Sequence, residues 1–208
     1  MARYTGPVCR LCRRERMKLY LKGAKCDSMK CPIERRPYPP GDHGRARMRQ
    51  GSEYLMQLRE KQKCRRIYGL MEKQFRNLYV EANRQTGVTG ENLLRMLEQR
   101  LDNVVFRAGW GSSRAQSRQF VRHGHVKVNG RRVTIPSYQA RKGDVIELGE
   151  KARSFIVVRH NLDTLDRQSP PWLDSGDSGF SVTVRDMPMR EHIDVPVREQ
   201  LIVELYSK

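Results

Sequence analysis

No apolar run in the 208 residues approaches the ~20 a helix needs to cross a bilayer, and the opening Met-Ala-Arg-Tyr-Thr-Gly has no signal-peptide core. A soluble, cytoplasmic protein, neither membrane-bound nor secreted, is expected. Acidic residues are scarce, 23 against 41 lysines and arginines, leaving a formal charge of +18. Such a chain repels itself unless a polyanion surrounds it, which favours nucleic acid over a membrane surface or mere solubility. Aromatic residues amount to 7%. Those in the basic middle, Phe120 and Tyr138, do not form the row of exposed rings on which single-stranded bases stack, so structured RNA read by backbone, hydroxyl and shape contacts is the better fit.

Enzymatic signatures are missing too. There is no phosphate-cradling P-loop, no closely spaced histidine metal pair, no compact Ser/His/Asp or Cys/His arrangement and no cofactor fingerprint. The five histidines are scattered, and His43, His123 and His125 suit phosphate contact better than proton transfer. No catalytic residue and no small-molecule substrate are expected.

What is present is unevenly placed. Residues 1–50 hold 14 basic and 4 acidic side chains, residues 51–160 hold 22 and 10, and residues 161–208 hold 5 and 9. The last fifth is therefore net acidic and should face solvent or a basic protein neighbour rather than phosphate. Residues 1–50 carry Pro7, Pro32, Pro37, Pro39 and Pro40 with little apolar periodicity, which reads as an extended, loop-rich segment.

From Ser52 the spacing predicts a helix with Leu55, Leu58 and Gln62 on one face, stopped by Gly69. A second helix fits Met71–Arg84 through Phe75, Leu78 and Tyr79. Thr89 caps a third, whose Leu93, Leu97, Leu101, Val104 and Val105 keep helical spacing as far as Gly109, either continuous or kinked. Ser112 or Ser113 caps another that runs to His123, with Ser117, Phe120 and Val121 as its buried side. Residues 125–133 alternate about Asn129-Gly130, a dipeptide suited to the tight turn of a hairpin, and Val145–Leu148 supplies a third strand. Short strands are expected near Trp172 and over Phe180–Val184, and a closing helix over Val197–Tyr206 with Leu201, Ile202 and Leu205 on one face.

Thiols in a reducing cytosol seldom form structural disulfides, so the five cysteines point to metal or burial. Cys9 and Cys12 are spaced C-x2-C, and Cys26 and Cys31 C-x4-C after thirteen residues. Two such pairs can close a tetrahedral structural site, and Arg10, Arg13, Arg14, Lys25 and Lys30 would offset thiolate charge. Zinc is favoured, a four-iron four-sulfur cluster is the competitor, and unrelated free thiols are the plain reading. Cys64 stands alone in a helix and reads as a buried small residue. Structural zinc supplies ~10–16 kcal/mol, while ordering about 25 residues costs on the order of 25–50 kcal/mol, so the segment should be fully fixed only on its partners.

Arg114, Arg118 and Arg122 recur every four residues and form a helical stripe, with no acid between residues 103 and 143 to pair with it. His123, His125, Lys127, Arg131 and Arg132 follow at once, giving a compact cationic surface for phosphate. Further candidate RNA contacts lie in the first segment, at Arg3, Arg10, Arg13, Arg14, Arg35, Arg36, His43, Arg45, Arg47 and Arg49. The first long helix adds Arg59, Lys61, Lys63, Arg65 and Arg66. Asp102 is expected to pair with nearby arginines.

The run Leu97-Glu98-Gln99-Arg100-Leu101-Asp102-Asn103-Val104-Val105 is followed by Ser113-Arg114, Arg118, Arg122-His123-Gly124-His125-Val126 and Val128-Asn129-Gly130. Together these closely resemble the RNA-binding module of the family of ribosomal protein four of the small subunit. Arg35-Arg36-Pro37-Tyr38-Pro39-Pro40-Gly41, Leu58–Lys63, Glu72–Arg76 and Glu199–Glu204 extend the resemblance over nearly the whole chain, to the bacterial, cysteine-containing version. Ser117 stands where the family pattern has alanine.

The resemblance implies an α+β fold. A helical domain holds an inserted RNA-binding module of helices and a small, mostly antiparallel sheet, preceded by an extended metal-binding N-terminal arm. The implied boundaries are 1–50 for the arm, 51–96 with 196–208 for the helical domain, and 97–195 for the inserted domain, its core about 97–160. It further implies a primary binder of small-subunit 16S-type rRNA that nucleates assembly of the subunit body. Contact with ribosomal protein five, an effect on decoding accuracy, a place at the mRNA entry channel and, in some bacteria, repression of its own messenger are implied with it. A pseudouridine synthase or tyrosyl-tRNA synthetase can carry the same module, but the catalytic parts are absent here. A stand-alone RNA-binding regulator is the other alternative, and the proline-rich basic arm argues against it, since it cannot bury its own backbone.

Overall fold

The computed structural model describes residues 2–46, 51–164, 169–176 and 178–207. The chain divides into two compact units, one of residues 1–93 with 195–208 and one of residues 94–194.

The first unit begins with a segment that is not extended, as its prolines and weak periodicity suggest, but folded into short turns. Helix α1 (Cys9–Glu15) is followed by 3-10 turns at Gly23–Cys26 and Asp42–Arg45, with helix α2 (Pro32–Arg35) between them. Leu19, Ile33 and three cysteines are buried among them, so thiols and isolated aliphatics take the place of a periodic apolar face.

Helix α3 (Glu53–Ile67) starts where Ser52 Oγ accepts the Leu55 N–H, satisfying one of the orphan donors of a helix start. Its buried face is Gln57, Lys61, Cys64 and Ile67, whereas Leu55 is exposed and Leu58 and Gln62 are half-buried. The expected face is therefore corrected. Polar residues line the buried one because they are partnered: Gln57 Nε2 donates to Glu204 Oε2 (3.0 Å) and Lys61 Nζ to Glu72 Oε1 (2.6 Å). Gly69 closes α3 with φ +67, and the Leu70 N–H reaches back to the Arg65 carbonyl.

Helix α4 (Glu72–Arg84) buries Phe75, Tyr79 and Ala82, and α5 (Thr89–Glu98) runs out of this unit. Helix α10 (Glu199–Tyr206), from a distant part of the chain, completes it with Ile202 buried and Leu201 and Leu205 half-buried. Tyr206 stacks on Tyr79 with centroids 4.5 Å apart, and its hydroxyl donates to Glu72. The start of α10 lies so close to Gly90 that a Cβ there would stand 2.8 Å from Glu199 Cγ.

The second unit is built on a break. Arg100 is extended, ending α5 and starting α6 (Leu101–Arg107), because a neighbouring loop supplies the missing acceptors. The Leu101 N–H donates to Tyr138 O (2.9 Å) and the Asp102 N–H to Pro136 O (3.2 Å), while Gln99 O accepts from the Ala140 N–H (2.9 Å). Helix α7 (Arg114–Arg122) is capped by Ser113, whose Oγ accepts the Gln116 N–H.

Five antiparallel strands follow, β1 (Val126–Val128), β2 (Arg131–Arg132), β3 (Val145–Leu148), β4 (Leu173–Ser175) and β5 (Ser181–Val184), in the order β2-β1-β3-β5-β4. Asn129 (φ +50) and Gly130 (φ +76) make the β1–β2 turn with both centres in the left-handed region. Asn129 also locks the turn to β3: its Oδ1 accepts the Val145 N–H, and its Nδ2 donates to Asp144, both at 2.9 Å. Val126, Val128, Ile146, Leu148, Val182 and Val184 meet Leu101, Val104, Val105, Trp110 and Val121 in one core. Helices α8 (Glu150–Arg153) and α9 (Ile156–Thr164) occupy a stretch whose periodicity announces no helix.

Candidate nucleic-acid interface

The cationic residues named from the sequence separate into exposed and spent. In the N-terminal segment Arg3, Arg10, Arg14, Arg35, Arg36 and His43 are exposed, and none is in an ion pair among the described residues. Arg13 and Arg45 are drawn onto the ring of Tyr38. Arg47 and Arg49 lie outside the described residues.

On α3 the basic residues are engaged within the chain. Arg59 and Arg66 both donate to Glu15 Oε1, a carboxylate on α1 with 3% of its side chain exposed. Burial pushes the Glu15 carboxyl up, and the two guanidiniums oppose that. Lys61 is buried on Glu72, Lys63 binds Glu60 at 2.6 Å, and Arg65 reaches Gln62 and Glu72. None of the five is exposed. Their partners Glu15, Glu60 and Glu72 were visible in the sequence, but Glu15 lies 44 residues from Arg59 and no periodicity connects them.

The α7 stripe divides in the same way. Arg122 is exposed, Arg114 is half-buried with its Cζ 4.4 Å from the Phe106 ring centroid and Nε donating to Asn103, and Arg118 is buried. Arg118 Nη1 donates to Asp102 Oδ2 (3.0 Å), which also accepts from Arg100 Nη2 (2.8 Å). The single stripe facing phosphate is thus corrected: the acid that pairs with it is Asp102, one residue before the acid-free interval. Burial holds the Arg118 guanidinium below its usual value against the pull of Asp102. Beside this cluster Arg107 bridges Glu98 and Asp194; burial alone would depress it, but the two carboxylates raise it.

Those of the named residues that stay at the surface of this unit lie together at the end of α7 and on the hairpin. Arg122, His123, Arg131 and Arg132 are exposed and Lys127 is half-buried, with Lys127 and Arg132 opposite each other in the β1–β2 register. Arg132 Nη2 donates to the His123 carbonyl, and it lies so close to Gly124 (φ +72) that a Cβ there would overlap the guanidinium. Gly124 therefore lets the end of α7 and the hairpin share one surface. His125 is half-buried with its ring edge-on to Phe155 (5.0 Å) and Phe120 (6.4 Å), and burial, then His123 and Arg132, hold its pKa below the ordinary value.

The four spaced cysteines line one small cavity with Lys22 and Lys25 at its edge. Cys9 and Cys12 sit on α1, Cys26 ends a 3-10 turn, and Cys31 caps α2 ahead of Pro32. The Lys22 N–H donates to Cys26 Sγ (3.3 Å) and the Leu19 N–H to the Cys12 sulfur. Burial pushes the Cys12 and Cys26 thiols up, and the neighbouring cysteines add to it. Among the described residues no group of three or more His, Cys, Asp or Glu stands arranged to hold a metal ion, so sharing a cavity is not convergence on a point. Cys64 is fully buried elsewhere in the same unit.

Residues 3–98 match the family model described as the ribosomal protein S4/S9 N-terminal domain, and residues 99–146 match the S4 domain. Among curated proteins, the small ribosomal subunit protein uS4 of Acidothermus cellulolyticus is 62% identical over 211 residues, covering 100% of both chains. The uS4 proteins of Pelobacter propionicus and Thermus thermophilus are 58% and 56% identical over 209 residues, again covering 100% of each. The chain belongs to the uS4 family. The seam between the two uS4 family models, at residues 98 and 99, falls where Arg100 breaks the helical run. The S4 domain so bounded contains the Asp102 cluster and all of the exposed set from Arg122 to Arg132. It stops inside β3, whereas the sheet continues through β5 and β4.

Proposed function

We propose that the chain is a structural constituent of the bacterial small ribosomal subunit, a primary binder of 16S-type rRNA that nucleates assembly of the subunit body, and not an enzyme. The observation that carries this is the segregation of cations. Arg59, Lys61, Lys63, Arg65, Arg66, Arg100 and Arg118 are neutralised or bonded internally, whereas Arg3, Arg10, Arg14, Arg35 and Arg36 on the N-terminal segment and Arg122, Arg131 and Arg132 at the end of α7 and on the hairpin are exposed. Unpaired surface cations on rigid elements suit phosphate contact, which positions a protein on RNA. Membership of a family whose members are named small ribosomal subunit proteins supports the assignment. Sucrose-gradient fractionation of cell extract tests it: co-sedimentation with small subunits is expected, and recovery only in light fractions would instead support a stand-alone regulator.

The finer reading places the chain at the mRNA entry channel and beside ribosomal protein five, with an effect on decoding accuracy and, as a further role, repression of its own messenger. The net acidic stretch 161–208, with Asp174, Asp186, Glu191 and Asp194 exposed, supports a basic protein neighbour. Cross-linking in intact subunits tests this, with adducts expected from that stretch to protein rather than RNA.

The reading also includes one structural metal held by Cys9, Cys12, Cys26 and Cys31. The chemistry of the donor set supports this, though the thiols would have to draw together around the ion: four thiols on one cavity, backbone N–H groups aimed at two sulfurs, and lysines among its lining to offset charge. An ion there would cross-link α1 to α2, and zinc, being closed by four thiolates, is favoured over a four-iron four-sulfur cluster. Anaerobic metal analysis with a visible spectrum separates them. One zinc per chain and no visible band is expected; iron with a broad visible band would replace zinc, and no metal would remove the site.

A further inference from the structure

Two guanidiniums converge on one aromatic ring in the N-terminal segment. Arg13 Cζ lies 5.0 Å and Arg45 Cζ 4.8 Å from the centroid of Tyr38. Arg13 is pinned by Nε to the Tyr38 carbonyl (2.9 Å) and Nη2 to that of Pro39 (3.4 Å), and Arg45 Nη2 donates to the Tyr38 hydroxyl (3.1 Å). The loop between them is shaped for this approach. Gly41 takes φ +107, and a Cβ on Gly44 would stand 2.0 Å from the Pro39 carbonyl oxygen and 3.3 Å from Tyr38 Cδ2, so only glycine lets the chain fold back over the ring.

The stack differs from the three carboxylate-centred arginine groups in its lack of an acid. Arg59 and Arg66 meet Glu15, Arg100 and Arg118 meet Asp102, and Arg107 meets Glu98. Arg13 and Arg45 are in no ion pair among the described residues. Two full charges are therefore held beside a π surface, and Arg45 remains exposed. The complement is planar, polarisable and anionic. Unpaired RNA bases stack on guanidinium planes and aromatic rings alike, and each brings a phosphate.

We propose that Arg13, Tyr38 and Arg45 form a seat for one unpaired nucleotide of the bound RNA, its base stacked on the exposed guanidinium of Arg45, which the Tyr38 ring backs, and its phosphate drawn to the guanidiniums. This rests on the RNA-binding reading above and adds base stacking to an interface otherwise made of phosphate contacts. Binding of full-length protein to a small-subunit rRNA transcript, measured against salt, tests it with Arg45→Lys and Tyr38→Leu. Lysine keeps the charge and loses the plane, so Arg45→Lys should weaken binding roughly 5- to 150-fold, the range of one stacked base, with the salt slope unchanged. Tyr38→Leu should do the same. Wild-type affinity in Arg45→Lys would reduce the site to a phosphate contact and overturn the proposal. A slope shallower by several units in Tyr38→Leu would also overturn it, since that marks collapse of the segment and loss of Arg10, Arg14, Arg35 and Arg36. Failure of the unaltered chain to bind the transcript at all would overturn the RNA-binding reading itself.

Discussion

Arg118 Nη1 donates to Asp102 Oδ2 across 3.0 Å, with 7% of each side chain exposed. Arg100 grips the same carboxylate with two bonds, Nε to Oδ1 at 3.1 Å and Nη2 to Oδ2 at 2.8 Å. An arginine whose spacing aligns it with Arg114 and Arg122 is thereby a fastener between α6 and α7. Arg100 still compensates Asp102 when Arg118 is removed, so Arg118→Ala should cost about 1.5–3 kcal/mol of unfolding free energy, the range of a hydrogen bond to a charged group. Denaturant unfolding checks this as a lower midpoint with an unchanged m value; an unaltered midpoint would mean that Arg118 is not held as described.

Glu15 should behave as a second fastener. Its carboxylate carries Arg59 and Arg66 on one oxygen and ties α1 to α3. Glu15→Gln is expected to cost about 1–3 kcal/mol, in the range for a charged group left poorly satisfied in a buried site. Faster amide exchange over α1, with the β1–β3 amides unaffected, is the accompanying sign.

Ser117 invites the opposite change. It is fully buried and its Oγ has no hydrogen-bond partner among the described residues, while Gly111 lies so near that a Cβ there would be 2.2 Å from that oxygen. An unsatisfied buried hydroxyl costs about 1–3 kcal/mol. Ser117→Ala should therefore raise stability by roughly 1 kcal/mol, read as a higher denaturation midpoint.

His125 gives the fold a pH dependence of known sign. Burial, then His123 and Arg132, hold its folded-state pKa below the ordinary 6.5. The unfolded chain takes up this proton first, so its contribution is complete above about pH 6.5 and is lost as pH falls through the folded-state pKa. Denaturation midpoints between pH 7.5 and 5.5 should fall more steeply for the unaltered chain than for His125→Gln. Parallel profiles would contradict the assignment.

Local signals in the sequence were strong enough to place α3, α4, α7, the Asn129-Gly130 hairpin and β3, because each rests on a cap, a glycine stop or strict alternation. The N-terminal segment reads as extended in the sequence because the buried thiols, Leu19 and Ile33 that hold it together have no period. Helices α8 and α9 went unseen for a similar reason: Ile156 and Val157 are exposed, so apolar residues there do not mark the inner face. For the interface, composition located the cations but not their state. Arg118 and Arg122 are the same residue type four positions apart, and only the Asp102 carboxylate arriving from α6 makes one internal and the other external. For Tyr38 the available sign in the sequence is its place in a segment rich in arginines.

In the proposed function the exposed cations at the end of α7 and on the hairpin contact phosphate while the buried ones do not. Equilibrium binding of a small-subunit rRNA transcript across a range of salt, with Arg122, Arg131 and Arg132 all changed to alanine, tests it most directly. A salt slope shallower by about two to three units, with an unchanged denaturation midpoint, is the result expected for three lost phosphate contacts. The same slope and affinity as the unaltered chain would show that RNA does not meet this surface.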